Sequence, residues 1–546
     1  MSETNGYVRR WWKEAVVYQV YPRSFYDSNG DGIGDLRGVV EKLDHIKGLG
    51  VDVIWLSPHY DSPNADNGYD IRDYRQMAAE FGSMADFDDL LGAVHAAGMK
   101  LIIDLVVNHT SDEHAWFIES RKGRDNPYRD YYIWRPGRDG QSPNNWPSIF
   151  GGSAWTRDGE DYYLHLFSDK QPDLNWDNPA VRGEVYDLMR FWLDKGVDGF
   201  RMDVIPFISK VTELSDLPEG AMARPQDVYA SGPNVHDYLQ EMRREALASY
   251  DVMTVGEAFG VSLAQTPTFV DERRGELDMV FQFDVVEIDR GPDGRWRPWT
   301  LPDLKAVYAR QDKALDKHCW PAVFLGNHDN PRIVSRFGDD RLEWRVKSAQ
   351  VLATLLLTMK GTPFLYQGDE IGMTNMRFAD ISQFDDIWVR KAWHEEVDSG
   401  RVMAANFLAE RNRTSRDHAR TPMQWSDTAN GGFTEGKPWL AVNTNFPEIN
   451  AETSGEIYDW YATLIALRRA TPTLVYSDYR DLAPEHPHVF AYDRVMLNEG
   501  YRVLLNFSAE PQVFDCPETD VIMGNYETPE PNILRGWEAR IYRLKA

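Results

Sequence analysis

Short runs of β-branched and aliphatic residues recur along the chain, each bounded by turn residues and followed by an amphipathic stretch. They are V-D-V-I-W-L-S-P (51–58), K-L-I-I-D-L-V-V-N-H (100–109), V-D-G-F-R-M-D-V (197–204), V-M-T-V-G-E (252–257), A-V-F-L-G-N-H-D (322–329) and G-T-P-F-L-Y-Q-G-D-E (361–370). Apolar runs of this length suit strands buried on both faces, and parallel neighbours of that kind need helical crossovers between them. D-F-D-D-L-L-G-A-V-H-A-A-G (86–98) and V-R-G-E-V-Y-D-L-M-R-F-W-L-D-K-G (181–196) have helical spacing and end on glycine, the residue favoured just past a helix. The pattern predicts an α/β fold, a (β/α)8 TIM barrel.

Two segments depart from a plain barrel. Residues 110–177 are rich in Asn, Asp, Gly, Pro and aromatics and too long for an ordinary connection, so they read as a subdomain inserted after strand 3. From about residue 473 short alternating segments follow one another, among them H-V-F-A-Y, Y-R-V-L-L-N-F and A-R-I-Y-R-L, as in a C-terminal antiparallel β domain. The expected division is a barrel over 1–109 and 178–472, the inserted subdomain over 110–177 and the β domain over 473–546.

Charge narrows the partners. With Asp+Glu at 86 against Lys+Arg at 59, the formal net charge of −27 has the wrong sign for a phosphate backbone, so no nucleic-acid partner is expected. No segment approaches the roughly 18 apolar residues of a membrane span, and M-S-E-T-N-G-Y-V-R-R-W-W-K-E at the N-terminus lacks a signal-peptide core. The expectation is a cytoplasmic protein without a membrane partner, a monomer or weak homo-oligomer acting on a small molecule. Cys319 and Cys516 are its two cysteines and read as reduced thiols.

In a parallel barrel, functional groups gather at the C-terminal strand ends. Three acids stand there, Asp203, Glu257 and Asp329, accompanied by His109, His328 and Arg201. Alternate strand side chains share a face, so Arg201 and Asp203 point one way while Phe200, Met202 and Val204 point the other. A structural ion pair would explain one such acid; three acids, two histidines and an arginine at corresponding places point to a catalytic site. Metal hydrolysis would want H-E-x-x-H or C-x-x-C and acyl transfer a G-x-S-x-G elbow, none of which occurs. G-G-F-T-E-G-K-P (431–438) fails as a phosphate loop because Pro438 replaces the required Ser or Thr and no strand leads into it. Glycoside hydrolysis needs one ionised carboxylate against an anomeric carbon and one protonated acid to release the leaving oxygen, and the residue types suit it.

D-L-V-V-N-H, G-F-R-M-D-V, the Glu257 strand and F-L-G-N-H-D resemble the four ordered signature regions of the α-amylase family of glycoside hydrolases (family 13). Q-P-D-L-N (171–175) resembles the fifth region in its oligo-1,6-glucosidase branch, and the likeness extends over nearly the whole chain. The resemblance implies that Asp203 is the nucleophile, Glu257 the acid/base and Asp329 the carboxylate that grips sugar hydroxyls, with Arg201 holding Asp203 ionised by lowering its pKa. It also implies a pocket for one non-reducing glucose. Asp66 and Tyr69 of A-D-N-G-Y-D would clamp the sugar, with Arg416 paired to Asp66, while His109, Phe167, Gln171 and His328 complete the subsite and Arg420 lies nearer the leaving group. Such an enzyme removes single glucose units from chain ends.

The loop D-S-N-G-D-G-I-G-D (27–35) offers Asp27, Asn29, Asp31, the Ile33 carbonyl and Asp35, with Gly32 at a sharp turn. Gly38 stands where an EF-hand needs its glutamate, so the loop looks like the branch's single structural ion site, for Ca2+ or Mg2+. No cofactor is expected for catalysis. Val204 after the nucleophile goes, among relatives, with α-1,6 linkages such as isomaltose, whereas threonine or alanine goes with α-1,4 linkages. Several stretches also look like sucrose isomerases, including the gating pair Phe259 and Phe283. The isomerases' R-L-D-R-D segment reads E-I-D-R-G here (287–291), and their threonine is Val204, which favours a hydrolase of isomaltose and isomaltulose-like sugars. The alternatives are a sucrose isomerase or transglucosylase, a trehalose-6-phosphate hydrolase, and a non-catalytic barrel scaffold.

Overall fold

The computed structural model describes residues 4–544 apart from 212, 292–294, 518 and 520. Eight parallel strands wind around a common axis: β1 (Val17–Val20), β2 (Val53–Leu56), β3 (Lys100–Leu105), β4 (Gly199–Met202), β5 (Met253–Glu257), β6 (Met279–Phe281), β7 (Ala322–Val323) and β8 (Thr362–Tyr366). They lie in the order β6-β5-β4-β3-β2-β1-β8-β7, and the two end strands meet to close the barrel. The TIM barrel expected from the sequence is present. The six strand-like runs correspond to β2, β3, β4, β5, β7 and β8; β1 and β6 complete the ring. Sequence reading passed over β6 because three residues carry almost no periodicity, and over β1 because V-V-Y-Q-V-Y merges with the aromatic residues preceding it.

Neighbouring strands are short and buried throughout, so register decides which side chains meet. Asp104 on β3 lies opposite Arg201 on β4, which lies opposite Val255 on β5. Gly199 opens β4 at φ +148°, where an added Cβ would sit 2.0 Å from the Met253 carbonyl oxygen; the close approach of β4 to β5 requires glycine. The helices read from the sequence run over Met84–Ala96 and Pro179–Lys195. Ser83 and Asp86 form a capping box at the first, and left-handed Gly196 ends the second.

After β3 the chain leaves the barrel and forms a small antiparallel sheet of Trp134–Pro136, Asp161–Leu164 and Trp155–Asp158. At the other end, Asp478–Asp481, Val489–Met496, Glu499–Asn506, Ala539–Leu544 and Val521–Gly524 make a five-stranded antiparallel sheet. It packs on the barrel helix Leu342–Thr358. Buried Arg494 of this sheet donates to the carbonyls of Thr358, Val475 and Ser477, and buried Arg468 beside it to those of Leu357, Met359, Leu474 and Gly361. Cys319 is buried, and both cysteines are free thiols. Among the described residues no helix is long and apolar enough to cross a membrane.

Candidate active site

The C-terminal ends of β3, β4 and β5 bring three carboxylates onto one guanidinium. Arg201, almost completely buried, donates through Nη1 to Asp104 Oδ1 at 2.7 Å and Asp203 Oδ1 at 2.6 Å. Its Nη2 lies 2.7 Å from Glu257 Oε2. Trp55 on β2 donates its indole N–H to Asp104 Oδ2 at 2.8 Å, and the same ring lies 5.4 Å from the guanidinium carbon. Val204 adopts a left-handed conformation, φ 32° and ψ 40°, a strained state for a β-branched residue. That conformation turns its N–H onto Glu257 Oε2 at 3.1 Å. Oε2 therefore has two donors, leaving Oε1 as the oxygen that can carry a proton.

Burial sets the protonation order. It pushes Glu257 up to about 7; Arg201 opposes the shift, while Asp203 and Asp329 add repulsion. Burial likewise pushes Asp203 up to about 6 against the pull of Arg201, and Asp104 adds repulsion. Asp104 itself is pushed up to about 6 by burial. Here the structure corrects one expectation: Arg201 does not bring Asp203 below the ordinary carboxylate range. One positive charge is divided among three carboxylates, and loss of water outweighs each share. The order survives, because Glu257 holds a proton more tightly than Asp203. The two carboxyls lie on one guanidinium and each raises or lowers the other's affinity for a proton, so their titration belongs to the pair.

Asp329 is held in the opposite sense. Burial would raise its pKa, but His328, Arg416 and Arg420 together keep it well below the usual range. Arg420 Nη2 donates to Asp329 Oδ1 at 2.7 Å and Arg416 Nη1 to the same oxygen at 3.3 Å. His328 Nε2 lies 3.0 Å from Oδ2. Arg420 is fully buried and also donates to the His328 carbonyl at 3.2 Å, so it stands behind Asp329 and not near a leaving group as the sequence resemblance implied.

Asp66, Tyr69, His109, Gln171 and Arg416 come together in one network, with Phe167 against the His109 ring. Arg416 Nη2 reaches Asp66 Oδ1 at 3.4 Å, the expected pairing, but binds Asp386 more tightly, at 2.5 Å and 3.0 Å. Asp386 had no sequence signal, since its Q-F-D-D-I-W-V-R segment is neither a strand end nor close to Arg416 along the chain. Gln171 Nε2 donates to Asp66 Oδ2 at 3.2 Å and lies 3.2 Å from His109 Nε2. His109 in turn sits 3.0 Å from the Tyr69 carbonyl, and its ring is 5.3 Å from Phe167. Burial lowers the His109 pKa, so this imidazole is neutral.

These groups frame a cavity of about 390 Å³ lined by Asp66, Tyr69, His109, Phe167, Asp203, Val204, Glu257, Asp329 and Arg416. Phe150, Phe167, Phe259 and Phe283 line the cavity, with fully buried Phe207 joining Phe167 to Phe259 from behind, and the Phe259 and Phe283 rings stand 5.1 Å apart between centroids. The rim includes Arg224, Glu287, Arg290 and Trp388, with Arg224 Nη2 bonded to Glu287 Oε2 at 3.0 Å. Arg224 could not be found from sequence because its loop lacks periodicity, nor Trp388, because the helix that carries it, Ile387–Trp393, is too short to show one. Asp104 could have been, since a charge inside the buried run K-L-I-I-D-L carries the same signal as Arg201.

The 27–35 loop curls on itself and lies against residues 434–438. Asp27 accepts from the backbone N–H groups of Asn29, Gly30 and Gly32 and from Thr434 Oγ1; Asn29 accepts from Asp31, and Asp31 from Ile33. Asp35 caps the helix Leu36–Glu41 by accepting from Gly38 N. The oxygens are hard donors of the class that Ca2+ and Mg2+ take. Among the described residues no group of three or more His, Cys, Asp or Glu is gathered as a ligand set.

Residues 19–477 match the model of the α-amylase catalytic domain. The chain is 53% identical to an oligo-1,6-glucosidase of Parageobacillus thermoglucosidasius, over 98% of this chain and 99% of that protein. It is also 53% identical to one of Halalkalibacterium halodurans, with the same coverage. Among solved structures, the trehalulose synthase of Pseudomonas mesoacidophila superposes with a TM-score of 0.96 at 49% identity, covering 98% of this chain and all of the other. The isomaltulose synthase of a Klebsiella species gives 0.97 at 49%, with the same coverage. With a barrel, a triad of strand-end acids and a family match spanning most of its length, the chain belongs to the α-amylase family of glycoside hydrolases.

Proposed function

We propose that the protein is a retaining, exo-acting α-glucosidase that releases glucose from the non-reducing ends of short α-glucosides and prefers α-1,6 linkages. One observation carries the reading: a single guanidinium holds Asp203 and Glu257 together, and the proton belongs to Glu257. Both acids are held by the two terminal nitrogens of one guanidinium, which suits a retaining pair better than the roughly 6.5–9.5 Å separation of an inverting one. Asp203 attacks the anomeric carbon while Glu257 gives its proton to the departing glycosidic oxygen. A β-glucosyl ester on Asp203 forms and the leaving sugar departs neutral. Glu257, now ionised, takes a proton from water, whose oxygen displaces Asp203; the protons balance over the cycle. Asp329, anionic throughout, faces the sugar beside the positive charge that develops on its ring.

We attribute the exo preference to the Asp66, Arg416, Asp386 and Gln171 network, which would bound the site behind one sugar. The linkage preference rests on Val204 and on the oligo-1,6-glucosidase names of the relatives. A panel of isomaltose, isomaltulose, trehalulose, sucrose, maltose and trehalose-6-phosphate tests it. Isomaltose is expected to be cleaved faster than maltose, with free glucose as product; faster maltose cleavage would overturn the linkage assignment. The Phe259–Phe283 pair and the synthase neighbours favour one second reading, rearrangement of sucrose. Isomeric disaccharide in excess of free glucose after incubation with sucrose would establish it. We also propose that the 27–35 loop binds a structural Ca2+ or Mg2+. Chelation should then lower the melting temperature and added ion restore it, and a melting temperature indifferent to both would dismiss the ion.

A further inference from the structure

Gln19 lies on β1, outside every motif the catalytic reading uses, yet its buried amide points at the site. Its Nε2 is 2.8 Å from His328 Nδ1 and 3.0 Å from Ser57 Oγ. The fully buried His328 ring is stacked between Tyr69, at 5.4 Å and 5°, and Tyr21, at 5.9 Å and 17°. Its other nitrogen, Nε2, lies 3.0 Å from Asp329 Oδ2 and 2.6 Å from the Tyr69 hydroxyl.

Donor and acceptor counting settles the protons. Asp329 receives bonds from Arg420 and Arg416 and is an anion, so it can only accept. We therefore place the hydrogen on His328 Nε2, facing that anionic oxygen at 3.0 Å, with the Tyr69 hydroxyl beside it accepting. Other charged and titratable groups around the ring are Arg201 on β4, Arg420 on the Asp417–Arg420 helix and Tyr69 on the loop after β2; Tyr21 follows β1, and the Trp55 indole meets the ring edge-on. Burial, with Arg201 and Arg420, disfavours the imidazolium more than Asp329 favours it, leaving the ring neutral. A neutral ring with hydrogen on Nε2 has a lone pair on Nδ1, and that lone pair needs a donor. Gln19 presents an amide NH2, with its second hydrogen on Ser57.

We propose that Gln19 is a positioning residue that fixes His328 in the neutral, Nε2-protonated form, so that an N–H always faces Asp329. The opposite tautomer would set a lone pair 3.0 Å from an anionic oxygen, and Asp329 would escape the repulsion by taking up a proton. The anion facing the sugar would then be lost. This rests on Asp329 serving the glucosidase site.

Gln19→Glu keeps the side chain's shape and replaces the donor with an acceptor. At low pH the imidazolium forms, still with hydrogen on Nε2, and the enzyme works. As pH rises through the His328 pKa, the remaining proton stays on Nδ1 opposite the new carboxylate and the wrong tautomer results. The variant is expected to lose kcat/KM on isomaltose by about tenfold or more on the alkaline side relative to wild type, moving its optimum to lower pH. A loss uniform with pH would reduce Gln19 to packing and overturn the proposal. Nitrogen-15 NMR of the histidine-labelled wild-type enzyme, with His328 assigned by comparison with His328→Gln, tests it without activity or any variant of Gln19. Nε2 should appear protonated and Nδ1 bare, and a protonated Nδ1 would refute the assignment even if the glucosidase reading stands.

Discussion

Arg201 has one positive charge and three carboxylates to share it, and the pH response of the enzyme follows from that division. In the proposed reaction Asp203 attacks as an anion, so activity is expected to fall as pH drops through about 6; Glu257 releases the leaving group as an acid, so activity is expected to fall as pH rises through about 7. The kcat/KM profile is expected to be a narrow bell between these limits, which belong to the pair and not to either acid alone. A profile flat from about pH 5 to 8 would contradict this division of roles. Asp203→Ala should abolish nearly all turnover. Glu257→Gln should cost about 10²–10⁴-fold on isomaltose, and much less on an aryl α-glucoside whose leaving group departs without a proton. Equal losses on both substrates would remove Glu257 from the acid role. Val204→Thr is expected to raise the maltose to isomaltose activity ratio, and an unchanged ratio would end the argument from this position.

At the scale of elements, β4 and its neighbours are positioned by what they lack. Gly199 lets β4 lie against β5, and a methyl there would meet the Met253 carbonyl at 2.0 Å. Gly199→Ala should therefore destabilise the protein by about 2–4 kcal/mol and lower kcat, since it shifts the strand that carries Arg201 and Asp203. Unaltered melting temperature and kcat would show that the strands can separate freely. The strand ends were legible because acids and histidines at the close of apolar runs are conspicuous: Asp203, Glu257, His328 and Asp329 all followed from that pattern. Arg224 was not, because an irregular loop gives a sequence no period from which facing can be deduced, and neither were Asp386 and Trp388, at the start of a helix only seven residues long. Arg420 illustrates a different limit. Its motif brought it correctly to the site, but only packing against Tyr21 and Asp329 decided that it stands behind the carboxylate.

Across the whole molecule, buried arginines join elements as apolar contact does: Arg494 of the C-terminal sheet donates to the carbonyls of Thr358, Val475 and Ser477. Arg468 satisfies four carbonyls, and burial pushes its pKa down to about 9. Arg468→Met should leave those carbonyls without a donor and lower the melting temperature, with kcat of the surviving folded enzyme unchanged; a melting temperature equal to wild type would mean water replaces the guanidinium without loss. The alternation of apolar runs and amphipathic helices was enough to specify a parallel barrel, its two additions and the acids at its mouth, because burial on both strand faces and the period of a helix are written residue by residue. Protonation was not. Whether Asp203 or Glu257 keeps the proton, which nitrogen of His328 carries hydrogen, and which way Val204 turns its N–H depend on how completely water is excluded and on which charges lie within a few ångströms. Those distances arise only when strands far apart in the chain are brought together.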